Sequence, residues 1–172
     1  MNATLQCLCI IEKFVDYFKY SKNLYKIVKN DVKNEKLCSS FKNLIENLYP
    51  ENDKTRKGSY APREFKEKIS KMNPLFEGIA ANDAKDLVNF LIMTLHSELN
   101  KAQPEKIEDN NNNIFEDQRN KDLMFNNFSN NFKKTQISII SDLFYALNYN
   151  ITQCSNCKTV SYTLNLIIII PN

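Results

Sequence analysis

FEGIAANDAKDLVNFLIMTLHSELN, residues 76–100, is the stretch from which the rest of the chain is read. Ala84, Leu87, Val88, Leu91, Leu95 and Leu99 recur at steps of three and four, which puts them on one face of an α-helix. Phe90, Ile92 and Met93 widen that stripe, so the spacing predicts a largely buried helix with other elements packed around it. Asn82 and Asp83 stand where a helix start wants a short polar acceptor. Asp83 and Asp86, three apart, flank the apolar stripe and can stay wet while the helix body is covered. Capping and helix-dipole matching account for two acids at this place without any ligand. A cationic ligand would use the same carboxylates.

Outward from this helix, the composition sets bounds. The 172 residues make one domain by length, or a piece of a larger one, and 42% hydrophobic residues are enough for a core. Only two glycines, Gly58 and Gly78, argue against a sandwich or barrel rich in tight turns. A formal charge of +3 is too mild to indicate nucleic acid as a partner. The opening residues have no basic leader, and the longest apolar run, 166–170, is far too short to span a bilayer, so no membrane is expected. Five cysteines, two of them in a Cys-x-x-Cys, suit a reducing compartment, so the expected location is cytoplasmic or nuclear.

Ahead of the central helix the chain reads as helical. Leu5, Leu8 and Cys9 give a short amphipathic helix, and Cys7 and Cys9 read as small buried or half-buried residues inside it. Phe14, Tyr17 and Phe18 suit a helix packing on the core, while the lysines that follow mark a solvated face. Phe41, Leu44, Ile45 and Leu48 predict a clearer helix, with Ser39 or Ser40 as its cap and Pro50 closing it. Residues 51–60 read as a polar loop. A further helix opens at Pro62 and buries Phe65, Ile69 and Met72.

Beyond the central helix, residues 102–134 are asparagine-rich and without clear periodicity, which reads as a flexible insertion. From Thr135 the pattern sharpens. Ile137, Ile140, Leu143 and Phe144 predict a short helix. Tyr145, Leu147, Tyr149 and Ile151 alternate, and so do Val160, Tyr162, Leu164, Leu166, Ile168 and Ile170. Two strands joined by Cys154-Ser155-Asn156-Cys157 form a hairpin with two thiolates at its tip, which is half of a zinc ribbon.

Several of these stretches together resemble the ubiquitin-specific proteases. That family reads Gln-Asp-Ala-x-Glu-Phe ahead of a Leu-His-rich helix end; Asn82, Asp83, Ala84, Asp86, Leu87, Leu95 and His96 stand at those places, with Lys85 for a second Gln. Asn73, Pro74, Phe76 and Gly78 match its Asn-Pro-x-Phe-x-Gly. Met1, Asn2, Leu5, Gln6 and Leu8 match the residues that follow its catalytic cysteine. Ser138, Ile139, Ile140, Leu143, Phe144, Cys154, Cys157 and Pro171 match its Ser-Ile-Ile-x-x-Leu-Phe-x-Gly, Cys-x-x-Cys and strand end, with Ala146 for the Gly and Lys158 for a Gly often found after the second Cys.

The resemblance implies an α+β fold of the papain-like cysteine peptidase superfamily. Residues 1–101 would form a helical, thumb-like lobe, and 135–172 the first β-hairpin of a fingers-like zinc-ribbon region. It implies a deubiquitinase: a cysteine nucleophile attacking the isopeptide carbonyl after ubiquitin's terminal glycine. That nucleophile would lie two residues before Met1, so no catalytic residue is assigned within the chain, and His96 matches a helix end rather than the general base. An inert fragment is the expectation. The partners implied are ubiquitin or a ubiquitinated protein, with Asp83 and Asp86 binding the arginine-bearing ubiquitin tail. Cys154 and Cys157 would supply two zinc ligands, the second pair coming from a later Cys-x-x-Cys. A non-catalytic ubiquitin- or partner-binding module, and a helical interaction module with an unrelated zinc hairpin, are the alternatives.

Overall fold

Unsatisfied backbone groups at helix ends must find partners, and in this chain two carboxylates provide them for the most connected helix. The computed structural model describes residues 1–33, 35–50, 60–102, 114–115 and 121–170. The polar loop expected at 51–60, apart from Tyr60, and residues 103–113 and 116–120 of the asparagine-rich stretch lie outside the described residues, as does Pro171. The chain divides into two units, Met1–Leu99 and Asn100–Asn172.

The first unit is helical: α1 (Asn2–Cys9), α2 (Glu12–Tyr20), α3 (Lys22–Asn30), α4 (Leu37–Leu48), α5 (Arg63–Met72), a 3-10 turn (Pro74–Phe76) and α6 (Ala84–Leu99). Ser21 separates α2 from α3: its backbone is extended, and its hydroxyl accepts from the Leu24 N–H at 3.3 Å. α4 packs against α2, α3, α5 and α6, whereas α6 packs against α4 and α1. The packing therefore centres on α4 rather than on the helix with the longest apolar stripe. Its aromatic residue explains this. Phe41 is fully buried and its ring contacts those of Phe14, Phe18 and Phe65, at centroid distances of 5.4, 4.7 and 5.5 Å. Edge and tilted contacts of this kind suit the aromatic quadrupole.

The start of α4 differs from the sequence expectation. Neither Ser39 nor Ser40 caps it. The Asp31 carboxylate accepts from the Glu35 and Lys36 N–H groups, both at 2.9 Å, and from the Ser39 hydroxyl at 2.6 Å. The Glu98 carboxylate, from the last turn of α6, accepts from the Leu37 and Cys38 N–H groups, both at 2.7 Å. Four successive donors thus meet two anions, and the negative charge lies where the helix dipole favours it. A serine inside the first turn could serve only one donor. A residue distant in sequence serves two, and no local motif announces it.

Other departures follow from geometry. α6 buries Leu87, Leu91, Ile92, Leu95, His96 and Leu99, but Ala84 is exposed and Met93 is 60% exposed, on a face shared with Asn89 and Ser97. The helix is one-sided rather than wrapped. Pro62 is the residue before α5, not its first helical residue, and Met72 at the other end is exposed. Cys7 is exposed, whereas Cys9 is buried as expected.

In the second unit, β1 (Ile114–Phe115), α7 (Lys121–Thr135), α8 (Ile139–Phe144), β2 (Tyr145–Gln153) and β3 (Val160–Ile168) follow. The antiparallel sheet has the order β1-β3-β2. The expected hairpin is present, with Tyr149 paired to Leu164 and Gln153 to Val160. A helix over Lys121–Thr135 replaces the loop expected there. Phe125, Phe128 and Phe132 lie at helical spacing, Asp122 occupies the first turn, and Lys133 and Lys134 the last, which matches the dipole and offsets the poor helix propensity of asparagine. α8 is fixed by a reciprocal cap in which the Ser138 hydroxyl accepts from the Ser141 N–H and the Ser141 hydroxyl from the Ser138 N–H, both at 3.0 Å.

Glu98→Ala leaves two N–H groups at the start of α4 without their acceptor. The expected loss of stability is about 1–3 kcal/mol, read as a lower melting midpoint. Glu98→Gln retains one acceptor oxygen and should lose less. An unchanged midpoint for the alanine variant would mean that the carboxylate does not hold α4.

Candidate functional site

The turn ahead of α6 is built by its own motif. Asn73 accepts from the Leu75 N–H at 3.0 Å, and Pro74 supplies the preset φ of a first helical position. Phe76 is buried with its ring 5.4 Å from that of Phe90, and its carbonyl accepts from the Lys66 ammonium and, at 2.9 Å, from the Ser70 hydroxyl. Gly78 then takes φ +70°, in the left-handed region that a Cβ disfavours. The chain is thereby turned, and residues 79–83 run exposed to the start of α6.

That segment forms one wall of a groove of about 450 Å³. Lys66 and Ile69 of α5, Phe76, Asp83, Leu87 and Met1 are among its lining. Asp83 precedes α6, and its carboxylate accepts from the Lys85 N–H at 2.8 Å. The capping role read from the sequence is therefore occupied, by one carboxylate oxygen. Asp86 lies one turn on, exposed like Asp83, but does not line the groove. The pair expected to act together divides into one acid at the groove and one on the open helix surface. Lys66, which no sequence pattern singled out, joins Asp83 in the lining because α5 crosses there.

In the second unit, Cys154 and Cys157 lie exposed in the β2–β3 turn. The turn is closed by backbone bonds from the Cys154 N–H to the Thr159 carbonyl at 2.9 Å and from the Lys158 N–H to the Cys154 carbonyl at 3.0 Å. Lys158 takes φ 61° with a side chain present, and its ammonium donates to the Ser155 carbonyl at 2.9 Å. The Cys157 sulfur lies 3.2 Å from the Thr159 hydroxyl. That hydroxyl, then the Thr159 N–H and the Cys154 thiol, lower the Cys157 pKa from 9.0 to about 7. A thiol poised to ionise at a hairpin tip has the chemistry of a soft metal ligand. No cluster of three or more candidate metal ligands exists among the described residues.

The remaining thiols contrast with it. Burial pushes Cys9 up to about 11. Burial, then the charge and hydrogen bond of Glu98, push Cys38 up to about 12. Neither has the environment of a nucleophile, which needs its thiolate near neutral pH. His96 is buried in the body of α6, as expected of a packing residue.

The chain combines a helical lobe, whose acid-capped α6 follows an Asn-Pro-x-Phe-x-Gly turn, with a Cys-x-x-Cys hairpin, and the family it matches implies a papain-like cysteine peptidase fold. The chain belongs to the ubiquitin carboxyl-terminal hydrolase family, whose family model matches residues 1–167. It is 34% identical over 105 residues to ubiquitin carboxyl-terminal hydrolase 8 of Arabidopsis thaliana, covering 60% of this chain and 12% of that protein. Over 170 residues it is 28% identical to ubiquitin carboxyl-terminal hydrolase 9 of the same plant, covering 96% and 18%. With ubiquitin carboxyl-terminal hydrolase 12 of Saccharomyces cerevisiae it shares 26% over 179 residues, covering 96% and 14%. The chain spans less than a fifth of the length of these curated relatives. Among the described residues no helix is long and apolar enough to cross a membrane.

The thiolate is the form that alkylates, so reactivity rises as pH passes the thiol pKa. Cys157 should reach half its maximal rate with iodoacetamide near pH 7, whereas Cys38 should stay unmodified throughout the neutral range. Thr159→Val removes the largest stabiliser of the thiolate and should move the Cys157 midpoint upward. Mass-spectrometric mapping of the labelled peptides checks both, and an unmoved midpoint would assign the shift to the turn backbone instead.

Proposed function

We propose that this chain is part of the catalytic domain of a cytoplasmic or nuclear deubiquitinase. In that reaction a cysteine thiolate attacks the isopeptide carbonyl after ubiquitin's last glycine and expels the lysine amine; water then releases ubiquitin from the thioester. The family match over residues 1–167 is the observation that carries this reading. The role of these residues is to hold ubiquitin rather than to cut it. The exposed acids at the start of α6 offer acceptors to the arginines of the ubiquitin tail, Asp83 from the groove and Asp86 from beside it. Charge-assisted pairs contribute about 1.5–3 kcal/mol when shielded and far less when exposed. Both acids are exposed and Lys85 lies between them, so binding through them alone is weak and falls with salt.

Cys154 and Cys157 fit two positions of a structural zinc site, on the grounds of their shared turn and the lowered pKa of Cys157. Bound zinc would cross-link the hairpin tip. The chain's own contribution is the turn that carries both cysteines and lets the Cys154 thiol act on that of Cys157.

A second reading is a non-catalytic ubiquitin-binding module, in which the buried Cys9 and Cys38, their thiols held protonated by burial, serve packing alone. The 172-residue chain by itself is then a binder without turnover. Titrating labelled ubiquitin with this chain at low salt should give weak saturable binding that Asp83→Ala/Asp86→Ala reduces several-fold. Ubiquitin–fluorophore conjugates should stay intact, and a ubiquitin-tail thiol probe should leave Cys7, Cys9 and Cys38 unlabelled. Equal binding by chain and variant would remove these acids from the site, and probe labelling of one of the three thiols would overturn the division between holding and cutting.

A further inference from the structure

Away from the groove at α6, a second cleft of about 560 Å³ opens between α2, α3 and α4. Lys19, Lys22, Lys26, Lys29 and Lys42 line it with Tyr20 and Tyr25, and no acidic side chain is part of the lining. Lys22, Lys26 and Lys29 fall four and three residues apart, on one face of α3. Lys19 comes from α2, its ammonium 5.1 Å from the Tyr20 ring centroid, and Lys42 comes from α4, so lysines of three helices line one space. Lys42 pairs with Glu46 one turn further along α4. Among the described residues no carboxylate forms an ion pair with Lys22, Lys26 or Lys29. Tyr20 and Tyr25 are 60% and 61% exposed.

This arrangement works against the free protein. Like charges at steps of three and four oppose their helix, and Lys22 stands at the α3 N-terminus, where the dipole disfavours a cation. An anion in the cleft reverses both terms. We propose that this lysine-lined cleft binds a small, soluble, multiply phosphorylated anion. The number of charges identifies the chemistry. Five lysines and no acid line a space of about 560 Å³, and among the described residues only Lys42 of the five has a carboxylate partner, so the ligand must carry several negative charges in a small volume, as a multiply phosphorylated molecule does. Lysine binds phosphate as a point charge. The cleft volume falls in the range of small-ligand sites, about 300–1,000 Å³. Such a ligand would tie α2, α3 and α4 together around the aromatic cluster of Phe14, Phe18 and Phe41.

Inositol hexakisphosphate serves as the probe, titrated calorimetrically into the full chain at two salt concentrations. Saturable binding at one site per chain is expected, together with a raised melting midpoint. Lys22→Ala/Lys26→Ala/Lys29→Ala substitutes exposed positions and should bind at least about tenfold more weakly. The charge-matched control Lys71→Ala/Lys133→Ala/Lys134→Ala, at three exposed positions that do not line the cleft, should bind as the unaltered chain does. Hexaglutamate tests an acidic peptide, and vesicles containing phosphatidylinositol bisphosphate test a membrane headgroup. Equal loss in both lysine variants, tighter binding of hexaglutamate, binding to vesicles without binding of the soluble probe, or no saturable binding would each overturn the proposal. None of these outcomes bears on ubiquitin binding at α6, which uses other residues.

Discussion

Two carboxylates at the start of α4 are the constraint on which the helical unit depends. A helix packed on four neighbours has its first N–H groups drawn away from water, and an unsatisfied buried donor costs about 1–3 kcal/mol. Asp31 and Glu98 offset that cost for the part-buried N–H groups of Lys36, Leu37 and Cys38, and Asp31 also accepts from the exposed Glu35 N–H. They also fix geometry. Asp31 ends α3 and Glu98 lies in the last turn of α6, so one set of hydrogen bonds sets where three helices meet. Phe41, one turn into α4, is thereby held at the middle of the aromatic cluster.

Fixing α6 at its C-terminal end leaves its N-terminal end for chemistry. The body of the helix is buried along one face and cannot move without opening the core, while its first turn is exposed. The Asn73–Gly78 turn delivers the chain to that first turn at a set angle, through the Phe76 carbonyl bonded to Lys66 and Ser70 and the left-handed Gly78. Asp83 is consequently both a cap and a groove residue.

The five cysteines illustrate how environment decides the use of one side chain. Cys9 and Cys38 are desolvated and hold their protons well above neutral pH. Cys157 lies in water beside a hydroxyl and a backbone N–H, and gives its proton up near neutrality. Spacing alone distinguishes the Cys-x-x-Cys from the rest. The direction of each pKa comes from which atoms fold around the sulfur.

The sequence by itself determined the elements that depend on near neighbours. The apolar period of three and four fixes α1, α4, α5 and α6, alternation fixes β2 and β3, and the motif residues at 73–78, 82–87 and 154–157 mark the family and both candidate sites. Asparagine hid α7, because a low propensity masked the Phe125, Phe128 and Phe132 period and the complementary charges at the helix ends. What only the tertiary structure decided are relations between distant residues. Glu98 caps α4 across a separation of sixty residues, Asp83 faces the groove while Asp86 does not, and lysines from three helices share one cleft. Periodicity states which face of an element is covered. Which neighbour covers it, and what charge that neighbour brings, is fixed only when the helices pack, since hydrogen bonds and Coulomb forces act on distance in space and not along the chain.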